Sequence, residues 1–257
     1  MKIIFLGTSS GKTSANRFHS SLVLSYRDYN LLIDSGEGTS RALMSSGIDF
    51  NSINGILLTH LHPDHFAGLP GLITQMKMHQ RKKSLQIFSH NSLKSTIQNF
   101  LINSYVLPER MNFEIEYVAF NENENIRITE KFGFSGRKNS HLNKLENYKS
   151  VYPSLNLFSG SFLFEIEGKK MVYSSDVGSE ADLLIFDDVA PDIFITEVNH
   201  ISPQSALNIC LNSAYTKILL THYSDEDFPN ISEILASLPN STRERIIVAQ
   251  DRQIIEI

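Results

Sequence analysis

Sulfur ligands are almost absent from this sequence, because Cys210 is its only cysteine. One cysteine can form no intrachain disulfide and cannot build a cluster of thiolates around a metal ion. Any metal that this chain holds must therefore be bound by imidazole and carboxylate groups.

The sequence also lacks a long hydrophobic run. Its first eight residues carry one lysine and an apolar stretch that is shorter than the core of a secretion signal. No later stretch reaches the length that spans a bilayer. We therefore expect a cytoplasmic protein with no membrane-spanning segment.

Positive charge is not in surplus, since the formal net charge is −5 at pH 7. Binding many phosphates takes an excess of lysine and arginine on one face, so a broad polyanion-binding surface is not expected. A local basic cleft is compatible with this net charge. The densest basic cluster, at residues 81–83, is interpreted as a solvated helix end.

Hydrophobic residues at 41% and charged residues at 20% are typical of a folded globular protein. Short apolar or β-branched segments predict strands at 3–6, 21–25, 29–33, 55–59, 112–119, 125–129, 161–166, 170–174, 192–196, 217–221, 246–249 and 253–257. Helical spacing predicts helices at 69–79, 92–103, 179–186, 203–213 and 232–238. This mixture favours an α/β sandwich with helices outside.

The two halves of the chain resemble each other. Residues 31–36 are matched by 171–178, and residues 55–60 are matched by 217–222. Each half thus delivers first an aspartate and then a histidine from strand ends; chance similarity between apolar strands is the alternative. Because no long linker separates the halves, residues 1–257 are predicted to form one domain of two similar layers.

The strongest chemical pattern is the segment His60-Leu61-His62-Pro63-Asp64-His65. Alternation along an extended chain puts His60 and His62 on one side, where they can grip one ion. Pro63 disfavours the α conformation at His62 and is expected to keep the segment extended until the helix after Gly68. Asp64 and His65 then offer a carboxylate and an imidazole to a second ion. The alternative is a polar surface loop.

Zinc sites need more ligands than one loop supplies. His222 ends the strand at 217–221 as His60 ends the strand at 55–59, so both histidines are candidate ligands. Asp176 also follows an apolar strand, and a carboxylate is suited to bridge two cations. The alternative for Asp176 is an ordinary turn aspartate.

His141 lies in a polar loop at 137–143, and its spacing alone leaves a ligand and a surface residue equally open. Two further histidines lack companion acids and are interpreted as surface or packing residues, namely His79 and His90. For His19 both interpretations stay open.

Taken in order, these motifs resemble the metallo-β-lactamase fold superfamily over nearly the whole chain. The matching residues are Leu6-Gly7-Thr8 with Arg17, Asp34-Ser35-Gly36, Thr59 to His65, His141, Ser175-Asp176 and Thr221-His222. Residues 5–11 and 64–72 look most like ribonuclease Z and its relatives. The resemblance implies an αββα four-layer sandwich with a binuclear metal centre.

The resemblance also implies a role for each ligand. One metal would be held by His60, His62 and His141, and the other by Asp64, His65 and His222. Asp176 and a water or hydroxide would bridge them, while Asp34 would support the metal loop without binding metal. With nitrogen and oxygen ligands alone, Zn²⁺ is expected, and Mn²⁺ or Fe²⁺ would suit the same donors.

Glu197 and His200 align with an acid and a histidine that ribonuclease Z relatives place beside the metals. His200 would contact a phosphate and protonate the leaving oxygen, and Asp64 would orient or deprotonate the attacking water. The alternative is that His200 caps the helix predicted from Pro203.

The expected function is therefore metal-dependent hydrolysis of a phosphodiester, in RNA or a small nucleotide, through a metal-bridging hydroxide. Two features depart from ribonuclease Z: too little chain separates His141 from Asp176 for a tRNA-binding arm, and Thr196 replaces a histidine. They argue against tRNA 3′ processing. The alternatives are hydrolysis of a small ester, lactone, thioester or cyclic nucleotide, and a non-catalytic metal-stabilised binding protein. Because ribonuclease Z relatives often dimerise, a homodimer is also expected.

Overall fold

Two mixed β-sheets of seven strands organise the chain, which the computed structural model describes at residues 1–213 and 215–257. The chain forms two compact units. Unit 1 comprises Met1–Asn121 with Gln250–Ile257, and unit 2 comprises Glu122–Ala249. That residues 1–257 act as a single domain remains a prediction.

Both units contain strands and α-helices. In chain order the strands are β1 (Lys2–Gly7), β2 (Ser21–Tyr26), β3 (Tyr29–Ile33), β4 (Gly55–Leu57), β5 (Leu85–His90), β6 (Ile115–Phe120), β7 (Ile126–Thr129), β8 (Phe132–Lys138), β9 (Gly160–Ile166), β10 (Lys169–Tyr173), β11 (Ile193–Glu197), β12 (Lys217–Thr221), β13 (Ile246–Val248) and β14 (Ile254–Glu256). The α-helices are α1 (Thr39–Ser45), α2 (Pro63–Phe66), α3 (Leu69–Met78), α4 (Lys94–Asn103), α5 (Pro203–Leu211), α6 (Phe228–Ser237) and α7 (Asn240–Arg243).

The sheet of unit 1 has the strand order β14-β1-β2-β3-β4-β5-β6. The strands from β14 to β3 pair antiparallel, and those from β3 to β6 pair parallel. Parallel neighbours need a crossover connection. These crossovers contain α1 before β4, α2 and α3 before β5, and α4 before β6.

The sheet of unit 2 has the order β13-β12-β11-β10-β9-β8-β7. It repeats the scheme, antiparallel from β7 to β10 and parallel from β10 to β13. Among the described residues of both units, no helix is both long and apolar enough to cross a bilayer.

The sequence repeat delivers an aspartate and then a histidine after strands in each unit, as predicted, but the strands that carry the two histidines hold different positions in their sheets. The hairpin β2–β3 continues into the parallel neighbour β4, and the hairpin β9–β10 continues into β11. The sequence instead matches β4 with β12, which is separated from β10 by β11. Buried parallel strands are near-continuous apolar runs, so their sequences do not tell them apart.

Several predicted elements are confirmed, and others are corrected. The strand β12 has the predicted bounds, but the segment predicted as helix at 179–186 is a 3₁₀ helix over Glu180–Leu184. The strand β8 was not predicted, and its last residues lie where the sequence indicates a polar loop. Two glycines lower its β propensity, yet it pairs along both edges, with β7 and with β9.

The single cysteine lies in the core of unit 2. Cys210 is on the buried face of α5 with Ala206 and Leu207. Burial raises the pKa of the Cys210 thiol to about 12, so the thiolate that binds metals does not form at neutral pH. The metal ligands must therefore be sought elsewhere in the chain.

Arg81 does not lie at a solvated helix end, contrary to the sequence interpretation. Its side chain is 1% exposed. The guanidinium donates to the carbonyl oxygens of Lys83, Asn51, Ile53 and Ser84, at 2.7, 3.3, 2.8 and 2.7 Å. These bonds tie the segment before β5 to the segment before β4. A buried charge is tolerated here because its donors are satisfied.

We predict that Arg81→Ala lowers the free energy of unfolding by about 3 kcal/mol, because buried carbonyl groups lose charged hydrogen-bond donors. Urea denaturation followed by circular dichroism measures this loss. Lys82→Ala is the control, since Lys82 is exposed beside it and should change stability by less than about 0.5 kcal/mol. Equal stability of the two variants would contradict the role of Arg81.

Candidate functional site

The predicted metal loop of unit 1 follows β4. His62 is extended, with ψ of 145°, and serves as the N-cap of α2, while Pro63 occupies the first position of that helix. The extended geometry expected at His62 is thus confirmed. The expectation that the segment stays extended until Gly68 is wrong, because the short helix α2 begins at Pro63 and contains Asp64 and His65. Proline is favoured at this first helical position.

The histidines of this loop lie close together. The ring centroids of His60 and His62 are 4.8 Å apart, and those of His60 and His65 are 4.2 Å apart. His65 Nε2 lies 3.6 Å from an oxygen of Asp64. The side chains of His60 and His65 are fully buried. The loop therefore presents three imidazoles and one carboxylate within a small volume.

Asp34 holds this loop in place through hydrogen bonds to Thr59 and His65. Its oxygens accept hydrogen bonds from the Thr59 amide at 2.9 Å, the Thr59 hydroxyl at 2.9 Å and His65 Nδ1 at 2.7 Å. Burial raises the pKa of Asp34, and the charge and hydrogen bonds of His65 and Thr59 oppose that rise. Because Nδ1 of His65 is used by Asp34, Nε2 is the nitrogen that remains to bind a metal.

Thr59 extends the same arrangement to His60. The Thr59 hydroxyl lies 3.0 Å from His60 Nδ1 and donates to Asp34. A hydroxyl that donates to Asp34 accepts from the imidazole, so the proton of His60 is held on Nδ1. Both histidines thus direct Nε2 away from the Asp34 side.

Two glycines allow the Asp34 turn to approach α2. A Cβ at Gly36 would lie 2.0 Å from the Asp64 carbonyl oxygen, and a Cβ at Gly68 would lie 2.1 Å from the Gly36 carbonyl oxygen. The Ser35 amide donates to the His65 carbonyl oxygen at 2.7 Å. Only glycine permits this close approach of the two backbones.

Unit 2 supplies a second group of donors at its strand ends. Asp176 follows β10, His222 follows β12, and His141 follows β8. One oxygen of Asp176 lies 3.6 Å from His141 Nε2, and the other lies 3.3 Å from His222 Nε2. All three side chains are at most 2% exposed. Each oxygen of one carboxylate therefore faces a different imidazole.

Backbone geometry turns these side chains at the strand ends. Positive φ angles occur at Asp34 (61°), Ser175 (53°) and His222 (53°). Such a conformation costs a non-glycine residue about 1 kcal/mol or more, and clusters of it are typical of functional sites.

Asn139 organises the unit 2 donors and was not predicted. Its side-chain amide donates to the Asp176 carbonyl oxygen at 2.9 Å, and its side-chain oxygen accepts from the His141 amide at 3.2 Å. An asparagine in a polar loop usually indicates a turn, so the sequence gives no signal for this role.

Glu197 and His200 also lie beside Asp176. Glu197 is buried and accepts from His200 Nδ1 at 2.9 Å and from the Val177 amide at 3.0 Å. His200 Nδ1 is 3.8 Å from an oxygen of Asp176. Burial lowers the pKa of His200, but the hydrogen bond and charge of Glu197, with the charge of Asp176, outweigh it and raise the pKa overall. The N-cap of α5 is Ser202, so the alternative of His200 as the helix cap is wrong.

The histidines at 79, 90 and 19 make contacts of other kinds. His79 ends α3, is exposed and packs on Phe50 at 4.9 Å between ring centroids. His90 caps the 3₁₀ helix Asn91–Leu93. His19 is buried, and its Nδ1 bonds to the Ser10 carbonyl oxygen at 2.9 Å. For His79 and His90 the structure agrees with a packing or capping role.

The donors within each unit fit a divalent cation. In unit 1, His60 and His62 offer donor atoms within 4.8 Å of each other, as do Asp64 and His65. In unit 2 the same holds for Asp176 with His141 and for Asp176 with His222. Imidazole and carboxylate donors at this spacing are the ligands that zinc takes in the absence of thiolates.

A family profile described as Anti-Pycsar protein Apyc1 matches residues 1–235. The chain belongs to this family. The sequence motifs predict a resemblance to ribonuclease Z and do not by themselves indicate this family.

Curated relatives carry the name ribonuclease Z. The protein of Clostridium perfringens is 38% identical over 44% of this chain, and that of Methanosarcina mazei is 25% identical over 100% of it and 98% of its own length. The aligned part spans only 35% of the Clostridium protein and 43% of the Metallosphaera sedula protein. The resemblance to ribonuclease Z expected from the motifs is confirmed.

Solved structures show the fold. The metallo-β-lactamase fold protein YhfI of Bacillus subtilis has a TM-score of 0.76 at 17% identity, covering 99% of this chain and 98% of its own. The short form of human tRNase Z has a TM-score of 0.73 at 21% identity, covering 100% and 99%. The predicted α/β class and metallo-β-lactamase fold are therefore confirmed.

We predict that Asp34→Asn weakens zinc binding about 10-fold to 100-fold, because the amide no longer orients His65 as a carboxylate does. Titration of the metal-free protein with zinc, by calorimetry, measures the dissociation constant. Asp28→Asn, an exposed aspartate of the β2–β3 turn, should leave that constant unchanged. Equal affinities of the two variants would rule out support of the metal loop by Asp34.

Proposed function

We propose that this protein is a metal-dependent hydrolase that cleaves phosphodiester bonds with two divalent cations. The observation that carries the proposal is the carboxylate of Asp176, whose two oxygens face different imidazoles. A carboxylate in this arrangement is suited to bridge two metal ions. The ribonuclease Z relatives supply the class of bond.

The proposed ligands are those that the resemblance to the metallo-β-lactamase fold superfamily implies for a zinc-type site. One cation would be held by His60, His62 and His141, and the other by Asp64, His65 and His222, with Asp176 shared. Zinc is the expected metal, and Mn²⁺ or Fe²⁺ would suit the same donors. Asp34 keeps the loop of unit 1 in place and binds no metal.

When bound, the cations lower the pKa of water and neutralise the oxygens of a phosphate in its transition state. Asp64 is the residue that orients or deprotonates the attacking water. His200 donates a proton to the leaving oxygen through Nε2, because Nδ1 is engaged by Glu197. Glu197 is itself fixed by the amides of Val177 and Asn199, so the imidazole is held in one orientation.

The proposed substrate is a small nucleotide or a single strand of RNA rather than tRNA. The segment after His141 forms a 3₁₀ helix over Asn143–Ser150 and leads to β9, and the described residues hold no long arm in this place. The net charge of −5 also means that the chain has no surplus of lysine and arginine with which to bind a folded polyanion over a broad surface. A homodimer remains part of the proposal on the basis of the relatives.

A screen of the zinc-loaded protein tests this proposal. We expect hydrolysis of bis(p-nitrophenyl) phosphate and of a nucleotide phosphodiester, with cyclic nucleotides and a 3′-extended RNA compared as substrates. A lactone, a thioester and p-nitrophenyl acetate should be poor substrates. Cleavage of these and not of the phosphodiesters would contradict the proposal, and inactivity on every substrate would favour a metal-stabilised binding protein.

His62→Ala serves as the negative control of that screen. Its kcat should fall at least about 100-fold, since one metal loses a direct ligand. The matched control is His79→Ala, which removes an exposed histidine from the same unit and should keep full activity. Turnover of the His62 variant at the wild-type rate would exclude the proposed centre.

We further predict that the loss of kcat caused by His200→Ala depends on the leaving group of the substrate. Its kcat should fall about 10²-fold to 10⁴-fold on a nucleotide with a ribose leaving oxygen, which needs a proton. On bis(p-nitrophenyl) phosphate the loss should be small, because p-nitrophenolate leaves unprotonated. Steady-state rates on both substrates give the comparison. An equal loss on both would show that His200 does not act as the general acid.

A further inference from the structure

Asp182 connects two loops of unit 2 that carry proposed metal ligands. It lies in the 3₁₀ helix Glu180–Leu184 and is 8% exposed. One oxygen accepts from the Ser140 amide at 3.1 Å. The other accepts from the Ser140 hydroxyl at 2.7 Å, the Gly178 amide at 2.8 Å and the Ser179 amide at 3.1 Å. One carboxylate thus receives four hydrogen bonds.

These donors lie next to two different ligands. Ser140 directly precedes His141, whereas Gly178 and Ser179 closely follow Asp176. We infer that Asp182 is a positioning residue that fixes the loop of His141 against the loop of Asp176, so that the two ligands are set before a metal binds. The inference rests on the proposed function for its metal, but the hydrogen bonds are a property of the protein alone.

A purely local role does not account for this arrangement. Asp182 and Ser179 form a capping box at the start of the 3₁₀ helix, and the bond from the Ser179 amide belongs to that cap. The other three bonds reach Ser140 and Gly178, which lie outside the helix. A residue needed only as a cap would not bond to Ser140, which is distant in sequence.

The two loops are in direct contact, so a small displacement cannot be absorbed. A Cβ at Gly178 would lie 2.5 Å from the carbonyl carbon and oxygen of Ser140. Asn139 joins the same loops through the Asp176 carbonyl oxygen and the His141 amide. Asp182 adds a charged acceptor, which makes shorter and stronger hydrogen bonds than a neutral one. An amide in its place would also present a donor to amides that can only donate.

The test compares Asp182→Asn with two controls in the 257-residue chain. Glu180→Gln changes an exposed acid of the same 3₁₀ helix, and Asp187→Asn changes an exposed aspartate of the next 3₁₀ helix. Zinc titration should show about a 10-fold to 100-fold weaker affinity for Asp182→Asn and little change for the controls. Ser140→Ala, which removes one of the four bonds, should weaken affinity less and in the same direction.

Hydrogen exchange of the metal-free protein supplies a readout that needs neither zinc nor activity. In Asp182→Asn the amides of Ser140 and Gly178 should exchange faster than in the wild type, while those of β9 stay unchanged. Unchanged exchange at Ser140 and Gly178 would overturn the inference whatever the zinc result. Failure of the wild type to bind zinc would overturn the proposed function and leave the exchange result to decide the role of Asp182.

Discussion

The hydrogen bonds of Asp34 hold the metal loop of unit 1 in one conformation. Its carboxylate joins the end of β3 to Thr59 after β4 and to His65 in α2. Burial of a charged carboxylate costs free energy unless its oxygens are hydrogen-bonded. Movement of the donor groups would break these hydrogen bonds and destabilise the folded chain. His60 and His65 are therefore held in place by hydrogen bonds that lead to one buried carboxylate.

In unit 2, other carboxylates hold the candidate site residues in place through hydrogen bonds. Glu197 fixes the orientation of His200 and the amide of Val177, and Asp182 accepts four hydrogen bonds from the loops around it. In both units the candidate ligands follow strands, and positive φ angles turn the chain at Asp34, Ser175 and His222. Strain of this kind persists where the surrounding structure holds it, which is the condition for a preorganised site.

The fold itself leaves the substrate open, because one fold can host many reactions. This chain belongs to the Anti-Pycsar protein Apyc1 family and also resembles ribonuclease Z. The proposed reaction therefore rests on the donor groups and on their supporting acids. The proposal of a substrate smaller than tRNA rests on the short 3₁₀ segment that follows His141.

The spacing of His60 to His65 was enough to predict a metal loop, because the geometry of an extended chain and of a proline depends on neighbouring residues only. The strand ends at Asp176 and His222 were predicted for a similar reason. The sequence did not predict the burial of Arg81, the strand β8, or the start of α2 at Pro63.

The roles of Asn139 and Asp182 became apparent only from the tertiary structure. Their hydrogen-bond partners are distant in the chain, and no local pattern distinguishes such an asparagine or aspartate from a turn or cap residue. The sequence thus determined which groups are candidate metal ligands, since that depends on residue type and local spacing. The folded chain decided how those groups are held, because that depends on hydrogen bonds between segments that meet only in three dimensions.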